Sequence, residues 1–193
     1  FHPHTIIIGY DHQFGKNRTG NFGLLQQMAP VYHYNLIEIP KHVAKEIGIS
    51  STKIRTALTE SDIETANELL GYHFYFSGKV VTGDQLGRQL GYPTANLEYT
   101  NSDKIHLGDG VYAVYVKWNG EQWKGMLSIG NRPTIDGDVQ KVEVNIFDFE
   151  EDIYGEELTV VVKKYLRGQE KYNSLQELID QLHQDKKDSL AIL

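Results

Sequence analysis

Cysteine is absent from the 193-residue chain, which excludes a disulfide framework and a thiolate metal site and fits a reducing, cytoplasmic setting. Long apolar runs are missing too: none approaches the roughly 20 residues that a membrane-crossing helix needs, so no membrane partner is expected. No charged, apolar and small-residue leader opens the sequence. Net positive charge is lacking. A formal charge of −7 leaves too few clustered Lys and Arg to neutralise a nucleic-acid backbone, although a single nucleotide asks for only a few local donors. Familiar catalytic signatures are also missing: there is no Walker A Lys-Ser/Thr pair, G-x-G-x-x-G, H-E-x-x-H, G-x-S-x-G elbow or Ser-His-Asp constellation. His2, His4 and His12 have no ligand spacing around them that would make a metal site. What remains is an ordinary globular composition, 40% hydrophobic and 23% charged, with length enough for one large domain or two small ones.

The richest stretch runs from Gly78 to Leu97, G-K-V-V-T-G-D-Q-L-G-R-Q-L-G-Y-P-T-A-N-L. Glycines 78, 83, 87 and 91 with Arg88 make a pliable cationic loop, the kind that lets backbone N–H groups close on an anion. Pro93 pushes Tyr92 towards extended backbone, so Thr94 and Asn96 are expected on one face of a strand. A hydroxyl and an amide carbonyl converging there would suit Mg²⁺ that also holds nucleotide phosphates. Equally, the stretch reads as a glycine-rich hairpin capped by Thr and Asn.

Before that stretch the pattern is α/β. Thr5 to Ile8 reads as a strand, Phe22, Leu24, Leu25 and Met28 as a helix, and Tyr32 to Ile39 as a second strand closed by Pro40. Ser61-x-x-Glu64 reads as a capping box for a helix ending at Gly71. From Tyr72 the period changes to that of strands: Phe74 to Val81, Val111 to Trp118, Gln122 to Ile129, Val142 to Phe147 and Leu158 to Leu166. Asn119-Gly120 is a type I′ hairpin signal, and Asn131-Arg132-Pro133-Thr134 reads as a turn. A closed barrel or sandwich is the economical arrangement, followed by one helix that Ser174-x-x-Glu177 caps and that carries Leu175, Leu178, Ile179 and Leu182 in a stripe. The expected division is 1–71 and 72–193.

Several polar residues invite chemistry, each with a plainer alternative. Glu143 alternates with Val142 and Val144, so it is either a base or a solvated strand residue. Arg167, at a strand end, offers a guanidinium that can stack on or fork to a ring carbonyl, or is simply a surface Arg. In the first third, Lys16 and Arg18 lie in a glycine-flanked loop. Ser50, Ser51 and Thr52 open a helix containing Arg55, which is a phosphate site or ordinary capping.

Taken together, Gly78 to Leu97, Asp109 to Tyr112, Ser128 to Thr134, Val142 to Phe149, Asp152 to Gly155 and Tyr165 to Arg167 resemble, in order, the kinase half of the bacterial bifunctional riboflavin kinase/FMN adenylyltransferase family, also called FAD synthetase. The resemblance implies an incomplete Rossmann-like α/β part followed by a Greek-key β-barrel with a C-terminal helix. It implies a kinase that moves the ATP γ-phosphate to the ribityl 5′-hydroxyl of riboflavin, giving FMN. Thr94 and Asn96 would hold Mg²⁺ and the nucleotide phosphates, Gly83 and Arg88 would close over ATP, and Glu143 would take the hydroxyl proton. Ile146, Tyr154 and Arg167 match positions that border the flavin, while Asn145 departs from the His common in relatives. Gly9 to Gly20, with Asp11 and Arg18, and Ile49 to Arg55, with Ser50, Ser51, Thr52 and Arg55, are similar to the adenylyltransferase half. The H-x-G-H-type motif of that half is missing, so the expectation is a fragment competent as a kinase and impaired in FAD formation. The implied partners are small molecules: riboflavin, ATP and FMN. The competing readings are a flavin- or nucleotide-binding module without turnover on the same barrel, and an oligonucleotide-binding barrel, which the acidic charge disfavours.

Overall fold

A computed structural model of the chain describes residues 2–39, 50–83, 86–101, 104–134 and 137–193. Its contacts divide into two compact units, Phe1–Ser50 and Ser51–Leu193. Pro40 and Ile49, where sequence signals fell, lie outside the described residues.

In the first unit, strand β1 (Thr5–Gly9) pairs in parallel with β2 (Asn35–Ile39), and helix α1 (Phe22–Tyr32) joins them. Asn21 caps α1 by accepting from the Leu24 N–H at 3.0 Å. The second strand is shorter than its apolar run predicts: Tyr32 ends the helix, His33 turns left-handed at φ 55°, and Tyr34 is drawn into the interior, its hydroxyl donating to the Leu25 carbonyl at 2.6 Å.

The second unit begins with helices α2 (Ser51–Thr59) and α3 (Ile63–Leu70), then strands β3 (Tyr75–Val81), β4 (Ala95–Tyr99), β5 (Gly110–Trp118), β6 (Glu121–Thr134), β7 (Gly137–Ile146) and β8 (Glu157–Arg167), with a short helix α4 (Leu86–Gln89) between β3 and β4 and a long helix α5 (Leu175–Ile192) last. The strands close into a barrel in the order β3-β4-β7-β6-β5-β8. Three consecutive hairpin-linked strands, β5 to β7, with β8 returning beside β5, form a Greek key, and among the described residues every barrel strand has partners on both sides. Asn119 and Gly120, at φ 48° and 82°, make the tight turn between β5 and β6 that their sequence predicts.

Alternation packs the barrel interior. Phe76, Val80, Leu97, Val114, Val116, Leu127, Ile129, Val144, Leu158, Val160 and Val162 are all buried in one cluster, which Ala57, Leu58, Ile63 and Ala66 of α2 and α3 join. That packing explains why the compact unit starts at Ser51, twenty residues before the change of period at Gly71: the two helices bury their apolar faces on the barrel. The α3 cap also shifts by one residue. Asp62, not Ser61, accepts from the Thr65 N–H at 3.1 Å, because Ser61 sits at φ 64° with its hydroxyl 2.9 Å from the Tyr112 hydroxyl. Residues 131–134 are strand, not turn, since β6 continues in register with β7 from Gly125 opposite Ile146 to Thr134 opposite Gly137.

Burial, as the leading cause, pushes both the Tyr99 and Tyr112 phenols up to about 12. Their folded values lie above the ordinary value of about 10, so the stability they contribute is present below about pH 10 and is lost as pH climbs to about 12. Urea midpoints should therefore fall over that window, and the fall should flatten in a Tyr99→Phe/Tyr112→Phe variant. An equally steep decline in that variant would place the alkaline sensitivity elsewhere.

Candidate active site

Glycine shapes the approach to the site. A turn after helix α4 carries Gly91 at φ 79°, and the Tyr92 N–H returns to the Gly87 carbonyl at 2.8 Å. Any Cβ on Gly87 would strike the Tyr92 carbonyl and come within 3.3 Å of Thr94 Oγ1. One on Gly83 would overlap the Asn96 side-chain amide. The loop therefore lies flush against the Pro-Thr-Ala-Asn segment, as only glycine at those two positions permits.

Register then brings distant polar residues together. Asn96 on β4 stands directly opposite Glu143 on β7, and Glu143 in turn opposite Ser128 on β6. Directly opposed residues project to the same side, about 5 Å apart at Cβ, so the amide and the carboxylate are neighbours despite their separation in sequence. Thr94 precedes the strand rather than lying within it, a small departure from the expected geometry. Glu143 pairs with Lys141, two residues earlier on the same face, at 2.9 Å. Asn145, next on that face and buried, donates to the Pro93 carbonyl at 2.6 Å. This bond fastens the turn that carries Thr94 to the strand that carries Glu143.

Two cavities adjoin this array. The first, about 420 Å³, is lined by Arg88, Thr94, Ile146, Phe149, Tyr154 and the acidic run Glu150 to Asp152, among others. Its Phe149 wall is braced edge-on by Trp123 and Trp118 at 5.1 and 5.9 Å. The second, about 400 Å³, is lined by Thr94, Glu143, Arg167, Gln169, Leu178 and Leu182, among others. Thr94 is the only described residue that lines both. Ile146 and Tyr154 thus share a cavity with Arg88, whereas Arg167 shares the other with Glu143, so the structure divides three residues that the resemblance grouped at one ligand.

Helix α5 walls the second cavity. Leu182 joins Tyr92, Met126 and Phe147 in a small apolar cluster, and His183 meets the Tyr92 ring edge-on at 5.5 Å. Asp185, only 2% exposed, holds Arg167 in a two-pronged pair, Nε to Oδ1 at 2.8 Å and Nη2 to Oδ2 at 2.6 Å. Burial alone would lower the Arg167 pKa; the hydrogen bonds and charge of Asp185 outweigh it, and the net direction is upward. The guanidinium proposed to fork to a ligand therefore already forks to a carboxylate of the protein. Sequence reasoning missed Asp185, although a signal exists: it continues the apolar stripe of Leu178 and Leu182, where a charge is out of place without a partner.

The remaining candidates line neither cavity. Asp11 and Arg18 are exposed in the first unit, Arg18 in a 3₁₀ turn at φ 59°. Ser51, Thr52 and Arg55 are exposed in the first turns of α2, in the second unit, and Ser50 closes the first.

Comparison with known proteins agrees with this barrel. The riboflavin kinase family model matches residues 70–193. The chain belongs to the riboflavin kinase family. The FAD synthetase family model matches residues 1–53. The bifunctional riboflavin kinase/FMN adenylyltransferase of Listeria monocytogenes is 39% identical over 191 residues, covering 98% of this chain and 60% of the relative. That of Escherichia coli is 38% identical over 182 residues, covering 94% and 58%. The chain thus spans about 60% of the length of the curated relatives it matches. A crystal structure from Streptococcus pneumoniae, described as a macrolide-efflux protein, superposes with a TM-score of 0.81 at 35% identity, covering 95% of this chain and 59% of that one. Here no helix of the described residues is long and apolar enough to cross a membrane.

Proposed function

We propose that this riboflavin kinase family chain transfers the γ-phosphoryl group of ATP to the ribityl 5′-hydroxyl of riboflavin, forming FMN and ADP. The observation that carries the reading is the meeting of two cavities of similar size at one residue, Thr94. Direct transfer requires donor and acceptor to be held side by side, and phosphoryl transfer asks of a protein mostly alignment and charge neutralisation.

The first cavity is assigned to ATP. Its acidic run repels phosphate, so the phosphates belong at the Arg88 and Thr94 end and the base near Phe149 and Tyr154. Ile146 and Tyr154 accordingly move from the flavin to the nucleotide side. The second cavity is assigned to riboflavin, with Leu178, Leu182 and Met126 offering apolar surface to the ring and Arg167 a polar edge. Glu143, in that same cavity, accepts the 5′-hydroxyl proton as the oxygen bonds to the γ-phosphorus and the bond from that phosphorus to the bridging oxygen of ADP breaks.

Thr94 Oγ1 and the Asn96 amide oxygen are hard donors, and the missing Cβ atoms of Gly83 and Gly87 leave both side chains room, so the pair fits Mg²⁺. When bound, that ion would neutralise charge on the transferred group. Residues 1–53 correspond on this reading to the FMN adenylyltransferase side, and helices α2 and α3 pack with the barrel. The family match at residues 1–53 supports that assignment, with Asp11, Arg18, Ser50, Ser51, Thr52 and Arg55 as its candidate nucleotide contacts.

Incubation of the chain with riboflavin, ATP and Mg²⁺ and chromatography of the products tests the reading. FMN and ADP in equal amounts are expected. Tight riboflavin binding without FMN would overturn turnover in favour of a binding module.

A further inference from the structure

We infer that Asp185 of helix α5 is a positioning residue for the flavin: it fixes the orientation of the Arg167 guanidinium in the acceptor cavity. This deepens the kinase reading and rests on it.

Asp185 is 2% exposed, and an isolated carboxylate at that depth is costly. Three hydrogen bonds satisfy it: the two prongs of Arg167 and the Gln181 side-chain amide at 2.8 Å, one turn earlier on the same helix. Arg167 reaches it from the last position of β8 and is held on the other side by its own Nη1 donating to the Gly168 carbonyl at 2.9 Å. A guanidinium has five N–H donors in a rigid plane. With Nε, one Nη2 and one Nη1 hydrogen engaged, one N–H on each terminal nitrogen and the flat face are what Arg167 has left for the cavity it lines.

Buried ion pairs contribute little net stability compared with well-packed apolar residues of the same volume; their better-attested use is to impose one geometry. Here the geometry imposed is that of the one arginine in the acceptor cavity, and the carboxylate that imposes it belongs to the same helix whose Leu178 and Leu182 line that cavity. A Lys in place of Arg167 would keep the charge and lose the plane.

The test compares Asp185→Asn, Arg167→Met and the double variant Asp185→Leu/Arg167→Met in the full chain, measuring KM for riboflavin and ATP, riboflavin affinity by fluorescence quenching without ATP, and Tm. In Asp185→Asn one amide N–H group faces an arginine N–H, so the fork opens. Expected is a rise of about tenfold or more in riboflavin KM and Kd, with ATP KM within about twofold of wild type, as for loss of a well-aligned charged hydrogen bond. All three variants should share the same raised riboflavin KM, because one interaction is lost once, while the double variant recovers wild-type Tm. A merely structural role would lower Tm in Asp185→Asn and leave the riboflavin KM of the folded fraction unchanged, and that result overturns the inference. If Asp185→Asn does not fold, the double variant still decides: wild-type riboflavin affinity in it overturns the proposal. Absence of FMN formation by the wild-type chain would instead overturn the kinase reading itself.

Discussion

Glu143→Gln is expected to lower kcat for FMN formation by about 10²–10⁴-fold, the usual worth of a positioned general base, while riboflavin affinity stays within a few-fold of wild type. The substitution keeps the shape of the side chain and its place opposite Asn96 on β4, and it removes the negative charge and with it the ability to accept a proton. Glu143 lines the cavity assigned to the acceptor, and its carboxylate lies 2.9 Å from the Lys141 ammonium, so the amide variant also replaces an ion pair by a neutral contact. Initial rates, paired with fluorescence titration of riboflavin, separate chemistry from binding. A kcat unchanged within a factor of two would remove Glu143 from the reaction. A protein that binds both ligands and never turned over before the change would be a binding module, for which a carboxylate beside the acceptor has no use.

Thr94→Val should be nearly as damaging. Valine fills the same volume, so the fold is expected to keep its Tm within about 2 °C, an effect below 1 kcal/mol for a chain of this size. What disappears is the hydroxyl of the one described residue that lines both cavities. Loss of a single group aimed at developing charge costs about 10²–10³-fold in kcat, and that is the expected fall. If the hydroxyl serves Mg²⁺, raising the Mg²⁺ concentration should return part of the lost rate in this variant and none in Glu143→Gln. A Thr94→Val enzyme that retains more than a third of wild-type kcat would show that the junction of the cavities is coincidental to the chemistry.

Local signals in this sequence were reliable where one residue decides one conformation. Asn119-Gly120 demands positive φ at two positions and makes the turn, and Ser174 caps α5 by accepting from the Glu177 N–H at 3.2 Å. Signals failed where a distant partner decides. Ser61 looks like a cap but is claimed by Tyr112, fifty-one residues away. Asn131 to Thr134 carry turn chemistry yet are held as strand by the register of β7. Helices α2 and α3 read as part of the preceding α/β segment because their amphipathic faces do not say which surface will cover them; the barrel core does.

The same distinction governs the site. Thr94, Asn96 and Glu143 were legible as oxygen-bearing residues on strand-like stretches, but their neighbourhood follows from a pairing of β4 with β7 that no local pattern encodes. Asn145 lost its apparent role where the familiar His is replaced, and it gains one from its bond to the Pro93 carbonyl. Ile146 and Tyr154 parted from Arg167 because β7 and the loop after it border one cavity and the end of β8 borders the other.

The seam that closes the barrel joins β3 to β8, with the Ser77 and Thr159 hydroxyls 3.2 Å apart across eighty-two positions of chain. On a ribosome adding about 5–20 residues per second, β3 emerges several seconds before its partner exists. During that interval β3 and β5 each present an unpaired edge, with Phe76, Val80, Val114 and Val116 still to be covered. A ring sealed last by its final strand has no half-built form that is safe from a neighbour's edge. The time of greatest aggregation risk for this chain is therefore its own synthesis, and slowing translation between β3 and β8 should lower its soluble yield more than an equal pause placed after Arg167.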